Sequence, residues 1–412
     1  GCTAGDVRHD HALPAVSVMK PDAVHCHLCG APGLESVPHT DDFVAVSSDI
    51  RIVAGTPWLA VCRVCGTLQK PVTVEWRRTV DTLYAGYDIN HQGGGSEPFI
   101  FNSAYGPGPR ADILLAHLDR RMALRPEGRM LDIGCANGNI LRSFGVGHPG
   151  WLLSGLDRSS RWRNAILSMP GVEGFFTNPV ELGERRFDLI VMSHVLEHIP
   201  DPVAFLRSLR THLTPDGLLY IAVPDIRQNP VDLFVLDHCT HFDERTLFHT
   251  LADGSFAPVE LRSDVLGKEI VAIAQASGGN GVIAPPHFAM ALSAVVGRYL
   301  ILCEALRRQA RQMHRGCRPF GILGTATAAV WLYGELGQGI DFFVDEDPQR
   351  IGKETLGKPV LALGRVPSGA GVFIPMSART ARGIIARSGR SDVSFAYAAE
   401  NDIEGVALRQ AP

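Results

Sequence analysis

The stretch Met130-Leu131-Asp132-Ile133-Gly134-Cys135-Ala136-Asn137-Gly138 restricts the fold more than any other part of this 412-residue chain. A short apolar run ends at an aspartate, turns on two glycines and leads into a helical pattern around Asn139–Phe144. Glycine lets backbone approach a ligand closely. The next apolar run, Leu152–Leu156, ends at Asp157, a separation suited to one β-α-β step. Further strands are predicted at Arg129–Ile133, Gly174–Thr177, Phe187–Met192 and Gly217–Val223. Helices are predicted at Ala111–Arg121 and Pro202–Thr211. Strands alternating with helices predict an α/β fold with a largely parallel sheet.

Two CxxC pairs precede this region. Cys26-His27-Leu28-Cys29 and Cys62-Arg63-Val64-Cys65 each place two thiolates on one turn, and two such turns close a tetrahedral site. Gly30 and Gly66 suit the tight turn after each pair. Cys26, Cys29, Cys62 and Cys65 are the expected ligands of a structural Zn2+. His25 and His27 are nearby substitutes, and buried thiols without metal are the plainer alternative. Such a site supplies folding energy that a small segment lacks.

Composition narrows the classes. Charged residues make up 20% and the formal net charge is −4. No basic block marks a nucleic-acid groove. The apolar stretch near Phe288–Leu302 is too short and interrupted for a membrane span. The chain starts without a secretory pattern. Nine cysteines that do not form a disulfide framework fit a reducing cytoplasm. A small-molecule substrate and a monomer or homodimer are expected.

The glycine turn resembles the DxGxxxG turn of class I methyltransferases dependent on S-adenosyl-L-methionine (SAM). The resemblance implies that Asp132, Gly134, Cys135 and Gly138 hold the amino-acid part of SAM. Asp157 then takes the ribose hydroxyls, with helix capping as its alternative role. Phe176, Thr177 and Asn178 border the adenine. Ser193 and His194, after the Phe187–Met192 strand, line the sulfonium side. The pair Glu197–His198 is a weak metal signal.

More closely, the chain resembles the three-domain C-methyltransferases of nucleotide-linked deoxysugars, found in antibiotic biosynthesis. Cys62–Gln69 resembles that family's second zinc knuckle. Gly321–Ala326 and Phe343–Gly352 resemble its third-domain signature. The unpatterned start of the chain and the three domains that the resemblance implies give four segments. These are a flexible arm (1–24), a zinc-binding module and connector (25–107), a Rossmann-like SAM domain (108–285), and a linker helix with a second Rossmann-like, substrate-binding domain (286–412). The linker helix spans about His287–Met313.

The resemblance also implies methylation of a carbon beside a ketone. The family's E-H-x-x-Y-F base motif aligns with Asp237-His238-Cys239-Thr240-His241-Phe242. His238 becomes the general base and Asp237 its acidic neighbour. Tyr84 or Tyr87 becomes the substrate-site tyrosine. His241 stands where the family has tyrosine, and Leu266–Ile270 replaces its H-G-G-S-L/I-R stretch. Structural roles remain open for His238 and His241. Methylation of oxygen or nitrogen on a sugar or another small natural-product intermediate is the competing expectation.

Overall fold

The computed structural model describes residues 24–87, 97–101, 103–276, 292–337 and 339–398. The expected arm (1–24, except its last residue) and the Gly93–Gly95 run lie outside the described residues.

The N-terminal part is built from short strands: β1 (Leu34–Ser36), β2 (Ala45–Val46), β3 (Ile52–Val53), β4 (Ala60–Cys62) and β5 (Leu68–Gln69). Helix α1 (Val74–Ala85) follows, where the sequence reading placed a connector. Trp76, Val80 and Leu83 are its buried residues, a spacing that lines one helical face. Thr73 caps it by accepting from the Trp76 N–H.

After the hairpin β6 (Phe99–Ile100) and β7 (Gly108–Pro109) comes α2 (Arg110–Arg121). The central sheet uses β8 (Gly128–Ile133), β9 (Trp151–Leu156), β10 (Val172–Phe176), β11 (Phe187–Ser193) and β12 (Leu213–Pro224). Between them run α3 (Asn139–Gly147), α4 (Arg163–Leu167) and α5 (Pro202–Arg210). The strand β13 (Thr240–His241) and helix α6 (Glu244–Asp253) precede β14 (Phe256–Arg262) and β15 (Glu269–Ala276).

The sheet has seven strands in the order β10-β9-β8-β11-β12-β15-β14. Its first five strands are parallel, as expected. The antiparallel pair β14–β15 was not predicted. Apolar clusters cover both faces of the sheet, which is why its strands read as near-continuous apolar runs.

The strand β13 does not join that sheet. It pairs with β5, extending the N-terminal sheet to β1-β4-β5-β13. The loop bearing His238 and His241 is thereby stitched to the cysteine-bearing module.

Helix α7 (Leu292–Gly316) leads to a further α/β region. The expected start of this helix lies outside the described residues. The region contains β16 (Phe320–Leu323), α8 (Thr327–Glu335), β17 (Phe342–Asp345), β18 (Glu354–Thr355) and β19 (Lys358–Ala362). It ends with β20 (Gly371–Phe373), α9 (Ala378–Ser388) and β21 (Ser394–Ala396). Its six strands run β18-β19-β17-β16-β20-β21. The Trp331 ring of α8 stacks on Phe234 at 5.3 Å, and Phe43 packs 4.6 Å from the same Phe234. One apolar cluster therefore joins the N-terminal sheet, the turn before His238 and the C-terminal region.

Candidate active site

The glycine turn sits at the carboxyl end of β8, where open parallel sheets bind ligands. Gly134 and Gly138 have φ of 72° and 78°, a region that favours glycine. A Cβ on Gly134 would come within 2.4 Å of Val195 Cγ2. The Gly134 N–H donates to the Leu156 carbonyl at 2.7 Å, which draws the turn toward β9. Cys135 is buried, and a Cβ on Gly155 would lie 2.8 Å from its sulfur. Its thiol is thus a packing group, leaving only backbone for a ligand.

Asp157 accepts from the Ala136 N–H at 2.9 Å and from the Ser159 N–H at 2.8 Å. Its carboxylate braces the glycine turn. Asp132 is buried, and its pKa is raised well above normal by burial and by the Asp157 and Glu97 charges. This excess of carboxylate fits a cationic ligand, and SAM carries both an ammonium and a sulfonium. The donor set therefore fits the cofactor expected from the turn.

At the end of β11, the Ser193 hydroxyl accepts from the Arg110 guanidinium. Arg110 also grips Glu269 on β15. His194 has φ of 55°. Its Nδ1 lies 3.1 Å from Glu197 and its Nε2 3.2 Å from Glu269. Burial opposes its charge, yet Glu269 beside it pushes its pKa up to about 9. Asn178 lies farther out. It is exposed, and its side chain caps the next turn by accepting from Val180 N–H at 2.9 Å.

A second group lies where the turn Leu196–His198 meets the segment 230–241. His238 Nδ1 lies 2.7 Å from Asp232 Oδ1, and His241 Nδ1 lies 2.8 Å from Asp232 Oδ2. A carboxylate only accepts, so both imidazoles carry a proton on Nδ1. Burial works against the His238 charge, but Asp232 raises its pKa above the usual histidine value. Burial and the Lys70 charge hold His241 at about 4.

Asp237, the expected acidic neighbour of His238, faces elsewhere. It accepts from the Ser48 N–H at 2.8 Å and from the Ser48 hydroxyl, which also lies 2.9 Å from the Tyr87 hydroxyl. His198 Nδ1–H donates to the Asp237 carbonyl at 3.0 Å and lies 2.9 Å from the Tyr84 hydroxyl. Tyr84 and Tyr87 pack edge to face at 5.1 Å. The rings of His198 and His238 meet at 4.6 Å and 87°. Glu197, His198 and His238 each bring one donor atom within 4.8 Å of the others. With Asp232 on His238, Asp237 on His198 and His194 on Glu197, they form an acid–base cluster. Asp232, Lys70, Ser48 and Arg110 were not anticipated as site residues. Each acts across a gap in sequence or stands outside any recognisable spacing.

In the N-terminal module, the Cys26 and Cys65 sulfurs are 3.6 Å apart, as are those of Cys29 and Cys62. Four thiolates about 2.3 Å from a common centre have neighbours at just under 4 Å. The cysteine cluster is therefore built to hold a tetrahedral metal. Gln69 donates to Cys26 Sγ at 3.1 Å.

Residues 110–261 match the family model described as a methyltransferase domain. The central domain has the class I SAM-dependent methyltransferase fold. A ubiquinone biosynthesis O-methyltransferase from Actinobacillus pleuropneumoniae is 27% identical over 106 residues, covering 23% of this chain. A trans-aconitate 2-methyltransferase from Methylobacterium nodulans is 30% identical over 124 residues, covering 30% of this chain. The chain spans 44% and 46% of the length of those two relatives. The mitomycin 7-O-methyltransferase structure overlaps 40% of this chain and 53% of its own, at 18% identity and a TM-score of 0.35.

The similarity to ubiquinone biosynthesis O-methyltransferases corrects the expected reaction. The methyltransferase domain matches O-methyltransferases of small molecules, and the expected C-methylation of a nucleotide-linked keto-deoxysugar is overturned. The physical reason lies in the base motif. An Asp–His pair removes a proton from O–H as well as from C–H, so Asp237–Phe242 does not distinguish the two acceptors. Among the described residues, no helix is long and apolar enough to cross a membrane.

Proposed function

We propose that this protein transfers a methyl group from SAM to an oxygen of a small natural-product intermediate or sugar, with nitrogen as the alternative acceptor atom. Oxygen as the acceptor follows the domain's similarity to ubiquinone biosynthesis O-methyltransferases, and the single observation that supports His238 as the base is the Asp232–His238 pair, 2.7 Å apart. It leaves His238 Nε2 as the nitrogen available to an acceptor. When bound, SAM supplies an electrophilic methyl group. The chain's own residues do the rest. His238 takes the acceptor proton at Nε2, and Asp232 stabilises the resulting imidazolium. Tyr84, Tyr87 and His198 orient the acceptor, and Asp237 holds His198 and Ser48 in place behind them. His241 supports Asp232. Asp132, Gly134, Gly138 and Asp157 hold the cofactor through backbone and carboxylates, with Cys135 contributing main chain. Ser193 and His194 border the sulfonium side and Asn178 the adenine edge.

The cysteine cluster serves as a structural Zn2+ site, because four thiolates leave no open coordination position. The C-terminal α/β region serves as a second Rossmann-like lobe that helps bind substrate. Gly324 turns at φ 91° after β16, and Asp345 at the end of β17 accepts from the Thr325 hydroxyl at 2.9 Å. The nine cysteines, four of them in two metal-ligand pairs and the rest scattered, do not read as a disulfide framework, which favours a reducing, cytoplasmic setting.

The test is a mass-resolved assay with SAM and a panel of phenols, hydroxy acids, sugars and amines, with the methylated atom mapped by NMR. An O-methyl product that disappears in His238→Ala, while SAM still binds, supports the proposal. A carbon-methylated product, or turnover that survives His238→Ala, overturns it.

A further inference from the structure

Lys70 is 1% exposed, yet it carries an ammonium into the interior. Burial lowers its pKa to about 8, against the pull of Asp232 and Asp237. Two acceptors receive its protons. One is the His238 carbonyl at 3.0 Å, the other His241 Nε2 at 2.8 Å. An ammonium only donates, so His241 Nε2 is bare and its proton sits on Nδ1. That Nδ1–H donates to one oxygen of Asp232, and His238 Nδ1–H donates to the other. Lys70 as donor at one end and Asp232 as acceptor in the middle thus fix the direction of every bond along Lys70–His241–Asp232–His238. The pairing of β5 with β13 delivers Lys70 to His241, 171 positions away in sequence.

We propose that Lys70 and His241 are positioning residues for His238. They keep Asp232 ionised and facing the His238 Nδ1–H, so that Nε2 is the basic nitrogen presented to the acceptor. The inference rests on the reading of His238 as the base, but it concerns a tautomer and a charge that exist without any acceptor.

Every element around the two imidazoles brings a titratable group. Glu197 and His198 come from the turn after β11, Asp232 from the turn 230–234, and Asp237 and Cys239 from the same loop. Lys70 comes from the end of β5, and Tyr84, through His198, from α1. Among them Lys70 is the cation that depresses His241 most, after burial itself. Without it, His241 takes up a proton more readily and shares the Asp232 charge with His238.

The experiment is an NMR titration of the full chain labelled at its histidine rings, with S-adenosylhomocysteine as the bound probe. In the unaltered protein, His238 titrates above its ordinary value and His241 stays neutral down to about 4. In Lys70→Met, His241 titration moves toward neutrality and the His238 titration shifts with it as the two come to share Asp232. Lys70→Arg restores a cation and reverses much of both shifts. Unchanged titrations and tautomers in a folded Lys70→Met protein overturn the proposal. If that variant does not fold, His241→Asn and His241→Leu decide. Asparagine retains a donor to Asp232 and leaves the His238 titration in place, whereas leucine displaces it. Identical His238 titrations in these two variants overturn the proposal. None of these readouts needs turnover, so a failure in the acceptor assay and a failure here are separate results.

Discussion

Gln69 donates to the Cys26 sulfur at 3.1 Å, and its backbone pairs with Thr240 on β13. One residue therefore touches both the cysteine cluster and the strand that carries His241. His27 reinforces the link through Nε2, 2.7 Å from the Thr240 hydroxyl. The cysteine cluster is thereby joined directly to the strand that carries His241.

Metal removal is expected to act at a distance. Cys62→Ser is predicted to abolish stoichiometric zinc, measured by elemental analysis, and to lower the melting temperature. Structural zinc binding contributes folding free energy directly. Near-complete zinc occupancy in the variant, or an unchanged melting temperature, contradicts the prediction.

Cofactor binding is predicted to depend on Asp132 and Asp157. Asp157→Ala removes an acceptor for the Ala136 and Ser159 N–H groups. Charge-assisted hydrogen bonds contribute about 1.5–3 kcal/mol each. Calorimetry is expected to show SAM affinity reduced by at least about tenfold. Asp132→Asn weakens binding less, because the amide still reaches the ligand without its charge. Wild-type affinity in both variants rules out this placement of SAM.

His238→Ala is expected to lower kcat by about 10² to 10⁴, the usual range for a general base. SAM affinity is expected to stay within about twofold. Rate against pH in the unaltered enzyme rises as pH passes upward through the His238 pKa, because only the neutral imidazole accepts a proton. Asp232 places that rise above the ordinary histidine value of 6.5. A rate that is flat across this window argues against His238 as the base.

His194 gives a stability signature. Its folded-state pKa of about 9 lies above the ordinary 6.5. Its contribution is therefore fully present below 6.5 and is lost as pH rises through about 9. Chemical denaturation of the cofactor-free protein is expected to show this loss, and His194→Asn to reduce it. Equal pH dependence in both proteins removes His194 from the account.

Much of the architecture was legible because its cues are local. The apolar run into Asp132, the glycines at 134 and 138 and the acid at 157 are set by turn chemistry within a few residues. The strands on either side emerged within a residue or two of expectation, except β12, which begins earlier, at Leu213. Helix α1 was missed although its buried face has helical spacing, because its segment was read as part of a tyrosine-bearing connector. The pair β14–β15 was missed because an antiparallel edge leaves no βαβ signal.

By itself, the sequence determined the α/β class, the cysteine set and the loop carrying His238, since each depends on residues close together in the chain. Only the tertiary structure decided which acid serves His238. Asp237, its neighbour in sequence, turns to Ser48, and Asp232 takes its place. The structure alone brought Lys70 to His241, through pairing of strands far apart in sequence. Hydrogen-bond direction in a buried network follows from which groups meet, and spacing along the chain does not specify that meeting.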